Sequence, residues 1–202
     1  MADAGLLSMN PPPMTGVVLA GGLGRRMGGV DKGLQLLNGE TLVAQVVARF
    51  APQVDRLLIN ANRNPDAYAQ FGYPVVPDAM PDFAGPLAGL HAALSVANTP
   101  LVATVPCDSP FLPHDLVFRL FLALTDANAE IAVAQTGDQP HPVFCLCRRD
   151  LLPHLSEYLR SGRRRFEGWY ASLNAVLVAF DDQPGAFENI NSPDELARFE
   201  QG

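Results

Sequence analysis

GVVLAGGLGRRMGGVDKG, residues 16–33, joins a short apolar run to a loop rich in glycine and positive charge. The run 16–19 predicts a buried strand, because β-branched and apolar residues follow one another without interruption. In the loop, bare backbone lets N–H groups approach phosphate oxygens, and Arg25, Arg26 and Lys32 supply neutralising charge. The stretch therefore predicts a strand that leads into a polyphosphate-binding loop.

Lys32 is the only lysine of the chain, since thirteen of its 14 cationic residues are arginines. Lysine offers a compact charge on a flexible stem, whereas arginine offers a planar fork. Lysine at this one position indicates that the loop needs a point charge. The alternative is a glycine loop without a ligand, but a purely structural turn has no use for three cations.

Composition bounds the class of protein. A chain of 202 residues with 48% hydrophobic residues and a mean hydropathy of +0.09 is expected to form one compact domain with a buried core. The formal charge of −7 argues against binding to nucleic acid. No apolar run approaches the roughly 18 residues that span a membrane. We expect neither nucleic acid nor a membrane as a partner.

The N-terminal residues have no secretory signal pattern. We predict a flexible extension over residues 1–13, with Pro11, Pro12 and Pro13 at its end, and a single domain over 14–202. Three cysteines, at 107, 145 and 147, are expected to be reduced core thiols rather than a zinc site. These features predict a cytoplasmic protein.

Apolar runs alternate with helical stretches along the rest of the chain. The predicted strands are 34–37, 56–60, 75–76, 101–105, 130–135, 143–147 and 176–180, and the predicted helices are 41–50, 85–97, 113–124, 149–159 and one capped by 192–195. This alternation predicts an α/β fold of three layers, in which a mostly parallel sheet is covered by helices on both faces.

Ligands of such Rossmann-like sheets bind at the carboxyl ends of the strands. The polar residues that stand just after the predicted strands are the glycine loop, Asn60, Asp78 and Asp108. We expect them to converge on one crevice.

Two common phosphate motifs do not fit the loop. A Walker A sequence requires Gly-Lys-Ser/Thr, but Lys32 follows Asp31 and precedes Gly33. In the dinucleotide fingerprint G-x-G-x-x-G the third glycine is one residue closer to the second than Gly28 is to Gly24. The fingerprint also requires an acidic residue at the end of the second strand, where this chain has Asn60. A Rossmann-type dehydrogenase is therefore disfavoured.

Six ordered motifs resemble those of the nucleotidyltransferases that make nucleotide sugars and related diphosphates, and most closely the bacterial molybdenum cofactor guanylyltransferases. The resemblance runs from Met14 to the C-terminus. It is carried by the segments 16–33, 60–63 (NANR), 85–89 (GPLAG), 106–110 (PCDSP), 141–142 (HP) and 189–193 (NINSP).

The resemblance implies roles for matching positions. Backbone contacts to the nucleotide are implied for Leu19, Ala20 and Gly21, a triphosphate contact for Lys32, further nucleotide contacts for Asn60 and Asp78, and an Mg²⁺ contact for Asp108. One carboxylate is sufficient, since Mg²⁺ shares its other positions with water and phosphate. Relatives that use CTP commonly carry a second alanine at the position of Gly21. The smaller glycine leaves room for a purine, which favours GTP.

The second substrate of these relatives is molybdopterin, which carries a phosphate and a flat pterin. Asn189 and Asn191 are neutral and suit hydrogen bonds to it. Arg163 and Arg164 belong to the only basic run of the acidic chain, and Phe166 and Trp169 follow closely. This cluster predicts phosphate binding beside aromatic stacking. A solvated surface run is the alternative.

The hypothesis from the sequence is therefore GMP transfer from GTP to molybdopterin with release of pyrophosphate. Lys32, Arg26 and Asp108 would be the catalytic residues, and proteins that mature molybdoenzymes are the expected further partners. A cytidylyltransferase and a sugar-phosphate nucleotidyltransferase remain alternatives within the class. A GTP-binding regulatory module without turnover is the alternative from another class.

Overall fold

The computed structural model describes residues 11–20, 31–79 and 85–200. Nine strands are found in these residues, namely β1 Met14–Leu19, β2 Leu36–Leu37, β3 Glu40–Thr41, β4 Arg56–Asn60, β5 Val75–Val76, β6 Leu101–Pro106, β7 Ile131–Thr136, β8 Gln139–Arg148 and β9 Ala175–Ala179. Seven α-helices accompany them, namely α1 Leu42–Phe50, α2 Pro65–Ala69, α3 Pro86–Val96, α4 Leu116–Asp126, α5 Leu152–Arg160, α6 Phe166–Tyr170 and α7 Pro193–Glu200. None of the described helices has the length and apolar character needed to cross a membrane.

Seven of the strands form one sheet in the order β5-β4-β1-β6-β8-β7-β9. The pairs β5–β4, β4–β1, β1–β6 and β7–β9 are parallel, whereas β8 runs antiparallel to both β6 and β7. The prediction of a mostly parallel sheet is confirmed. Since β1, β4, β5 and β6 run the same way, their carboxyl ends meet at one edge.

Helices cover both faces of this sheet, as predicted. Val18 on β1 points to one face and packs with α1 and α4 in the larger apolar cluster. Its neighbours Val17 and Leu19 point to the opposite face and pack with α3, α5 and α6. The two-residue period of a strand thus places consecutive apolar residues of β1 in two separate cores. A strand buried on both faces must be apolar throughout, as the run 16–19 is.

Local signals fixed several boundaries. Thr41 caps α1, because its hydroxyl accepts a hydrogen bond from the backbone N–H of Ala44 at 3.3 Å. The turn between β2 and β3 is made by Asn38 and Gly39, both with positive φ, which suits a two-residue hairpin. The three cysteines are free and buried, as predicted, with Cys145 and Cys147 in the same apolar cluster.

Other boundaries were predicted wrongly. The predicted strand 34–37 is too long, since Leu34 ends a 3₁₀ turn that begins at Lys32 and only Leu36–Leu37 pair as a strand. The helix expected from Pro113 begins at Leu116. Strand β8 begins four residues earlier than predicted, at Gln139, although its first residues include Pro140 and Pro142. Before Cys145, the described pairing of this strand is with β7 alone, and its other side tolerates the prolines.

Candidate active site

The predicted convergence of polar residues occurs at the carboxyl edge of the sheet. Leu19, the last residue of β1, lies in register with Asn60 on one side and with Pro106 on the other. Asn60 in turn lies opposite Val76, the last residue of β5. The chain segments that leave these four strands therefore start side by side. The sheet register alone brings Ala20, Asn60, Asp78 and Asp108 to one region.

Lys32 meets Asp108 and Asn191 at this edge. Its ammonium donates a hydrogen bond to Asp108 Oδ2 at 3.3 Å and a second one to Asn191 Oδ1. The side chains of Lys32 and Asp108 are 22% and 12% exposed, so the pair is partly shielded from water but open to a ligand. Lys32 thus forms one polar cluster with two residues that lie 76 and 159 positions after it in the sequence.

Asp108 is fixed by contacts of both its backbone and its side chain. Its backbone carbonyl accepts a hydrogen bond from the N–H of Ile190 at 2.8 Å, which ties the end of β6 to the segment that precedes α7. Burial raises the pKa of the Asp108 carboxyl, and the nearby Lys32 ammonium opposes that shift. Without Lys32 the buried carboxylate would lack its compensating charge. The two charges therefore stabilise each other.

Asn191 is fixed by the start of α7. The Glu195 carboxylate accepts hydrogen bonds from the backbone N–H groups of Asn191 at 2.5 Å and Ser192 at 3.1 Å. The Ser192 hydroxyl accepts one from the N–H of Glu195 at 3.2 Å. This reciprocal capping box confirms the predicted helix start. It also fixes the backbone from which the Asn191 side chain reaches Lys32.

A second polar cluster is centred on Asp78. Its Oδ1 accepts a hydrogen bond from Asn60 Nδ2 at 2.9 Å, and its Oδ2 accepts one from Asn62 Nδ2 at 2.7 Å. The backbone N–H of Asp78 returns a bond to Asn62 Oδ1 at 2.7 Å. Asn60 is 3% exposed, and its amide also donates to the Val76 carbonyl at 3.0 Å. Asn60 thus lies behind Asp78 and orients it.

Leu19 and Ala20 end the strand beside this cluster. Both are buried, and the backbone N–H of Ala20 donates to the Asn60 carbonyl at 2.8 Å. The predicted site residues Gly21 and Arg26 lie outside the described residues, as does Arg25. The structure therefore describes the two ends of the glycine loop, at Ala20 and Asp31, and places both at the same edge of the sheet.

A cavity of about 470 Å³ reaches Pro106 and Asn189, which come two residues before Asp108 and Asn191 in the chain. Its lining includes Pro106 from β6, His141 from β8, Phe187 and Asn189. The imidazole of His141 stacks on the Phe187 ring with centroids 4.6 Å apart. Its Nε2 and the Thr136 hydroxyl share a hydrogen bond of 2.7 Å. Burial lowers the pKa of His141, which keeps its ring neutral. The cavity is large enough for a small flat ligand.

Asn189 connects the cavity to the first cluster. Its Oδ1 accepts a hydrogen bond from the Ser109 hydroxyl at 2.5 Å, and Ser109 directly follows Asp108. The Asn189 carbonyl accepts a weaker bond from Asn191 Nδ2 at 3.3 Å. The two asparagines predicted for the second substrate therefore lie together, one at the cavity and one on Lys32.

The arginine run lies in a different setting from the one predicted. Arg163 stacks over the Tyr158 ring at 4.3 Å, and Arg164 donates to the Leu159 carbonyl at 2.7 Å. The predicted aromatic partners are not available, because Phe166 and Trp169 are 4% and 0% exposed. Both rings pack into the apolar cluster beneath α3 and α5. The expectation that they stack on a pterin is therefore wrong.

The described residues suit a hard cation. No group of three His, Cys, Asp or Glu side chains in the described part of the chain is placed to enclose a metal. Mg²⁺ does not require such a group, since it is commonly bound by one or two carboxylates together with phosphate oxygens and water. Asp108 offers one partly buried carboxylate, and Asn191 offers an amide oxygen beside it. Oxygen donors of this kind fit Mg²⁺ rather than a soft metal.

Comparison with known proteins decides the family. The family model described as "MobA-like NTP transferase domain" matches residues 16–178. The chain belongs to the MobA-like NTP transferase family. A molybdenum cofactor guanylyltransferase of Ralstonia nicotianae is 50% identical over 192 residues, which cover 91% of this chain and 94% of the relative. One of Cupriavidus taiwanensis is 51% identical over 192 residues, covering 93% and 96%.

A solved structure agrees with this assignment. Molybdopterin-guanine dinucleotide biosynthesis protein A of Archaeoglobus fulgidus superposes with a TM-score of 0.78 at 25% identity, covering 93% of this chain and 97% of that one. As a member of the MobA-like NTP transferase family, the chain is a nucleotidyltransferase. The resemblance inferred from the six sequence motifs is thus confirmed.

Sequence reasoning missed three residues of this site. Asn62 lies within the NANR motif but showed no separate signal, although its two contacts to Asp78 are shorter than the one made by Asn60. Glu195 was identified only as part of a helix cap. Tyr68 belongs to α2, a helix of five residues that the sequence pattern did not reveal.

Proposed function

We propose that the chain transfers GMP from GTP to molybdopterin, yielding a molybdopterin guanine dinucleotide and pyrophosphate. The observation that carries the proposal is the contact of Lys32 with Asp108 and Asn191, at the sheet edge where the Asn60–Asp78 cluster also lies. A cation and an acidic metal ligand meet there beside a separate hydrogen-bonding cluster. Relatives at about 50% identity bear the name molybdenum cofactor guanylyltransferase, which supports GTP as the donor.

The reaction follows from charge placement. An anionic oxygen of the acceptor phosphate bonds to the α-phosphorus of GTP, and the bond from that phosphorus to its β-bridging oxygen breaks. Pyrophosphate leaves with the electron pair, and no base is needed because the attacking oxygen carries no proton. Lys32, with help from Arg26, neutralises the charge that grows on the leaving group. Positioning and electrostatics account for most of the catalysis in such transfers.

Mg²⁺ belongs to this proposal, with Asp108 as its protein ligand. When bound, it would neutralise phosphate charge and hold the triphosphate in place. Asp108 would hold the cation, and the Lys32 ammonium, which contacts Asp108 in the structure, would then be available to phosphate oxygens. The flexible stem of lysine suits this exchange of partners, whereas a planar guanidinium would not.

The nucleoside end of GTP is assigned to the Asp78 cluster and to the backbone of Leu19, Ala20 and Gly21. A carboxylate oriented by two asparagines has lone pairs left for the N–H groups of guanine or for ribose hydroxyls. Cytosine lacks the ring N–H that guanine presents beside its amino group. A preference for GTP over CTP is therefore expected from Asp78 as well as from the small Gly21.

Molybdopterin is assigned to the cavity beside Asn189 and Asn191. The cavity walls formed by Pro106, His141 and Phe187 are flat and neutral. Such walls suit a pterin better than they suit a phosphate. Arg163 and Arg164 remain candidates for its phosphate. Free, buried thiols fit a reducing cytoplasm as the place of action. Proteins that mature molybdoenzymes would receive the product.

A transfer assay tests the proposal. The protein is incubated with molybdopterin and Mg²⁺, and with GTP labelled at the α- or the γ-phosphorus. We expect α-label in the dinucleotide and γ-label in pyrophosphate, with CTP at least tenfold poorer, as the loss of one site hydrogen bond implies. Glucose 1-phosphate in place of molybdopterin is the control acceptor. GTP binding without pyrophosphate release would instead indicate a regulatory module, and efficient transfer to the sugar phosphate would contradict the assigned acceptor.

A further inference from the structure

Tyr68 lies beneath the segment that carries Lys32. Its side chain is fully buried, and its hydroxyl donates a hydrogen bond to Asp31 Oδ1 at 2.5 Å. The other carboxylate oxygen of Asp31 accepts a bond from Asn64 Nδ2 at 3.0 Å. Both donors belong to the start and the body of α2. The residue directly before Lys32 is thus held by two side chains from one short helix.

The same hydroxyl also contacts the residue directly after Lys32. A Cβ atom placed on Gly33 would lie 2.6 Å from the Tyr68 hydroxyl oxygen and 3.1 Å from Cys107 Sγ. Gly33 is therefore packed tightly between α2 and the end of β6. One buried hydroxyl restrains the backbone on both sides of Lys32, and the neighbour of Cys107 is Asp108, the partner of the Lys32 ammonium.

The direction of the Tyr68 bond is well defined. Burial, followed by nearby negative groups, raises the pKa of the Tyr68 phenol above its ordinary value. The phenol therefore keeps its proton and is the donor, while the Asp31 carboxylate is the acceptor. A hydrogen bond to a charged group is stronger than one between neutral groups. This bond restrains the backbone segment that carries Lys32.

We propose that Tyr68 is a positioning residue for nucleotidyl transfer, whose hydroxyl acts through Asp31 and Gly33 to hold Lys32 at the phosphate site. The inference rests on the proposed function, because it takes Lys32 as the ligand of the triphosphate. A lysine side chain has many rotamers, and its placement depends on where its backbone is fixed. Fixing both flanking residues narrows the positions that the ammonium can reach.

The alternative is that Tyr68 is only a core residue. Its ring packs against Phe71 with centroids 6.4 Å apart and belongs to the larger apolar cluster. Tyr68→Phe separates the two roles, because it keeps the ring and removes the hydroxyl. A purely structural role predicts lower thermal stability and unchanged handling of phosphate.

A double-mutant cycle provides the test. kcat/KM for GTP is measured for the wild type, Tyr68→Phe, Lys32→Ala and the double variant. We expect Tyr68→Phe to lower kcat/KM about tenfold in the wild type, the scale of one hydrogen bond to a charged group. In the Lys32→Ala background it should change kcat/KM by less than about twofold, because the residue through which it acts is gone.

Pyrophosphate affinity supplies a readout that does not depend on turnover. In calorimetric titrations with Mg²⁺ present, Tyr68→Phe should weaken pyrophosphate binding about tenfold, by the same hydrogen-bond scale. Tyr73→Phe is the matched control, since it removes a hydroxyl beside the same apolar cluster and leaves the bond to Asp31 in place. It should bind pyrophosphate like the wild type.

The outcomes separate the two proposals. Wild-type activity of Lys32→Ala would contradict the role given to Lys32 in the proposed function. If Lys32→Ala is impaired but Tyr68→Phe has the same effect on kcat/KM in both backgrounds, only the positioning role is overturned. The same holds if Lys32→Ala is impaired and Tyr68→Phe binds pyrophosphate like the wild type. Should Tyr68→Phe not fold, Asn64→Gly carries the same prediction. Glycine tolerates the positive φ of 48° at that position and removes the other donor to Asp31.

Discussion

Gly89, in the second turn of α3, shows how closely single atoms are packed around the nucleotide side of the site. A Cβ atom there would lie 2.3 Å from Asn60 Oδ1 and 2.8 Å from Leu19 Cδ2. Asn60 cannot easily move away, because its amide is bonded to both Val76 and Asp78. The absence of a side chain at Gly89 therefore lets Asn60 orient Asp78.

Gly89→Ala tests this packing. Although alanine favours helix, the overlap should lower the free energy of unfolding by about 1–3 kcal/mol, as overpacked cores do. It should also weaken GTP binding, because Asn60 must shift. Urea unfolding and GTP titration measure the two effects. Gly185→Ala is the control, since a Cβ there would find no atom closer than 3.9 Å. Wild-type values for Gly89→Ala would contradict the account.

Single residues with unusual chemistry were predictable from the sequence. Lys32 stood out as the only lysine, and Asp108 stood out as a carboxylate at the end of an apolar strand. Their contact confirms that the two lie together. Tyr68 and Asn62 were not predictable, because their importance comes from partners at a distance in sequence. A tyrosine in a core and an asparagine in a loop carry no local signal of that kind.

At the scale of elements, α7 connects helix capping to the site. Glu195 holds the backbone of Asn191 and Ser192, and Asn191 holds Lys32. Glu195→Ala should cost about 1 kcal/mol of stability through the lost cap. It should also lower kcat for transfer, since Asn191 is released. Thermal unfolding and the labelled-GTP assay measure both. Glu157→Ala, on the exposed side of α5, should change neither. A stability loss with unchanged kcat would show that the cap is only structural.

The contact between α3 and α5 contains a pH-sensitive histidine. His91 faces the Ser156 hydroxyl with Nε2 at 2.9 Å, and its Nδ1 is a buried atom without a hydrogen-bond partner in the described residues. Ser156 gives its own proton to the Leu152 carbonyl, so His91 Nε2 carries the donor proton. Burial, and then the charge of Arg160, lower the pKa of His91. The folded protein therefore keeps this ring neutral.

This pKa shift predicts a pH dependence of stability. The unfolded chain binds a proton on His91 as the pH falls through about 6.5, whereas the folded chain resists it until a lower pH. Stability from this group is complete above that value and is lost as the pH falls towards the folded pKa. In urea unfolding between pH 7.5 and 5, the wild type should lose more stability than His91→Leu. Parallel losses in the two proteins would contradict the assignment.

Elements were predicted well where apolar residues form a nearly continuous run. β4 and β5 match the predicted bounds, and α3 lies within one residue of its predicted bounds at each end. The errors fall where tertiary pairing overrides local preference, as in the proline-containing start of β8. The two helices of five residues, α2 and α6, were also missed because a helix of that length has too few turns to show a period.

At the scale of the whole molecule, the sheet order accounts for the arrangement of the proposed substrate sites. β1 lies between β4 and β6, so Asn60 and Asp108 lie on opposite sides of the end of β1. β8 and β7 follow beyond β6, and their hairpin supplies His141 to the cavity. The donor is thus assigned to the parallel half of the sheet and the acceptor to the mixed half.

The position of the arginine run was not predictable at this scale. A cluster of three cations beside two aromatic residues reads the same in sequence whether the rings face solvent or the core. Folding places Phe166 and Trp169 inside, because α6 needs an apolar face against α3 and α5. The aromatic rings that line the cavity are instead those of His141 and Phe187. They are 46 positions apart in sequence and come together only in the folded chain.

A crystal structure of the protein with GTP and Mg²⁺ tests the central claim most directly. The account predicts one bound GTP, with Lys32 and Asp108 at the triphosphate and its cation, Asp78 at the nucleoside, and the α-phosphorus open towards the cavity at Asn189. GTP bound elsewhere, or at this edge with the triphosphate remote from Lys32 and Asp108, would contradict it.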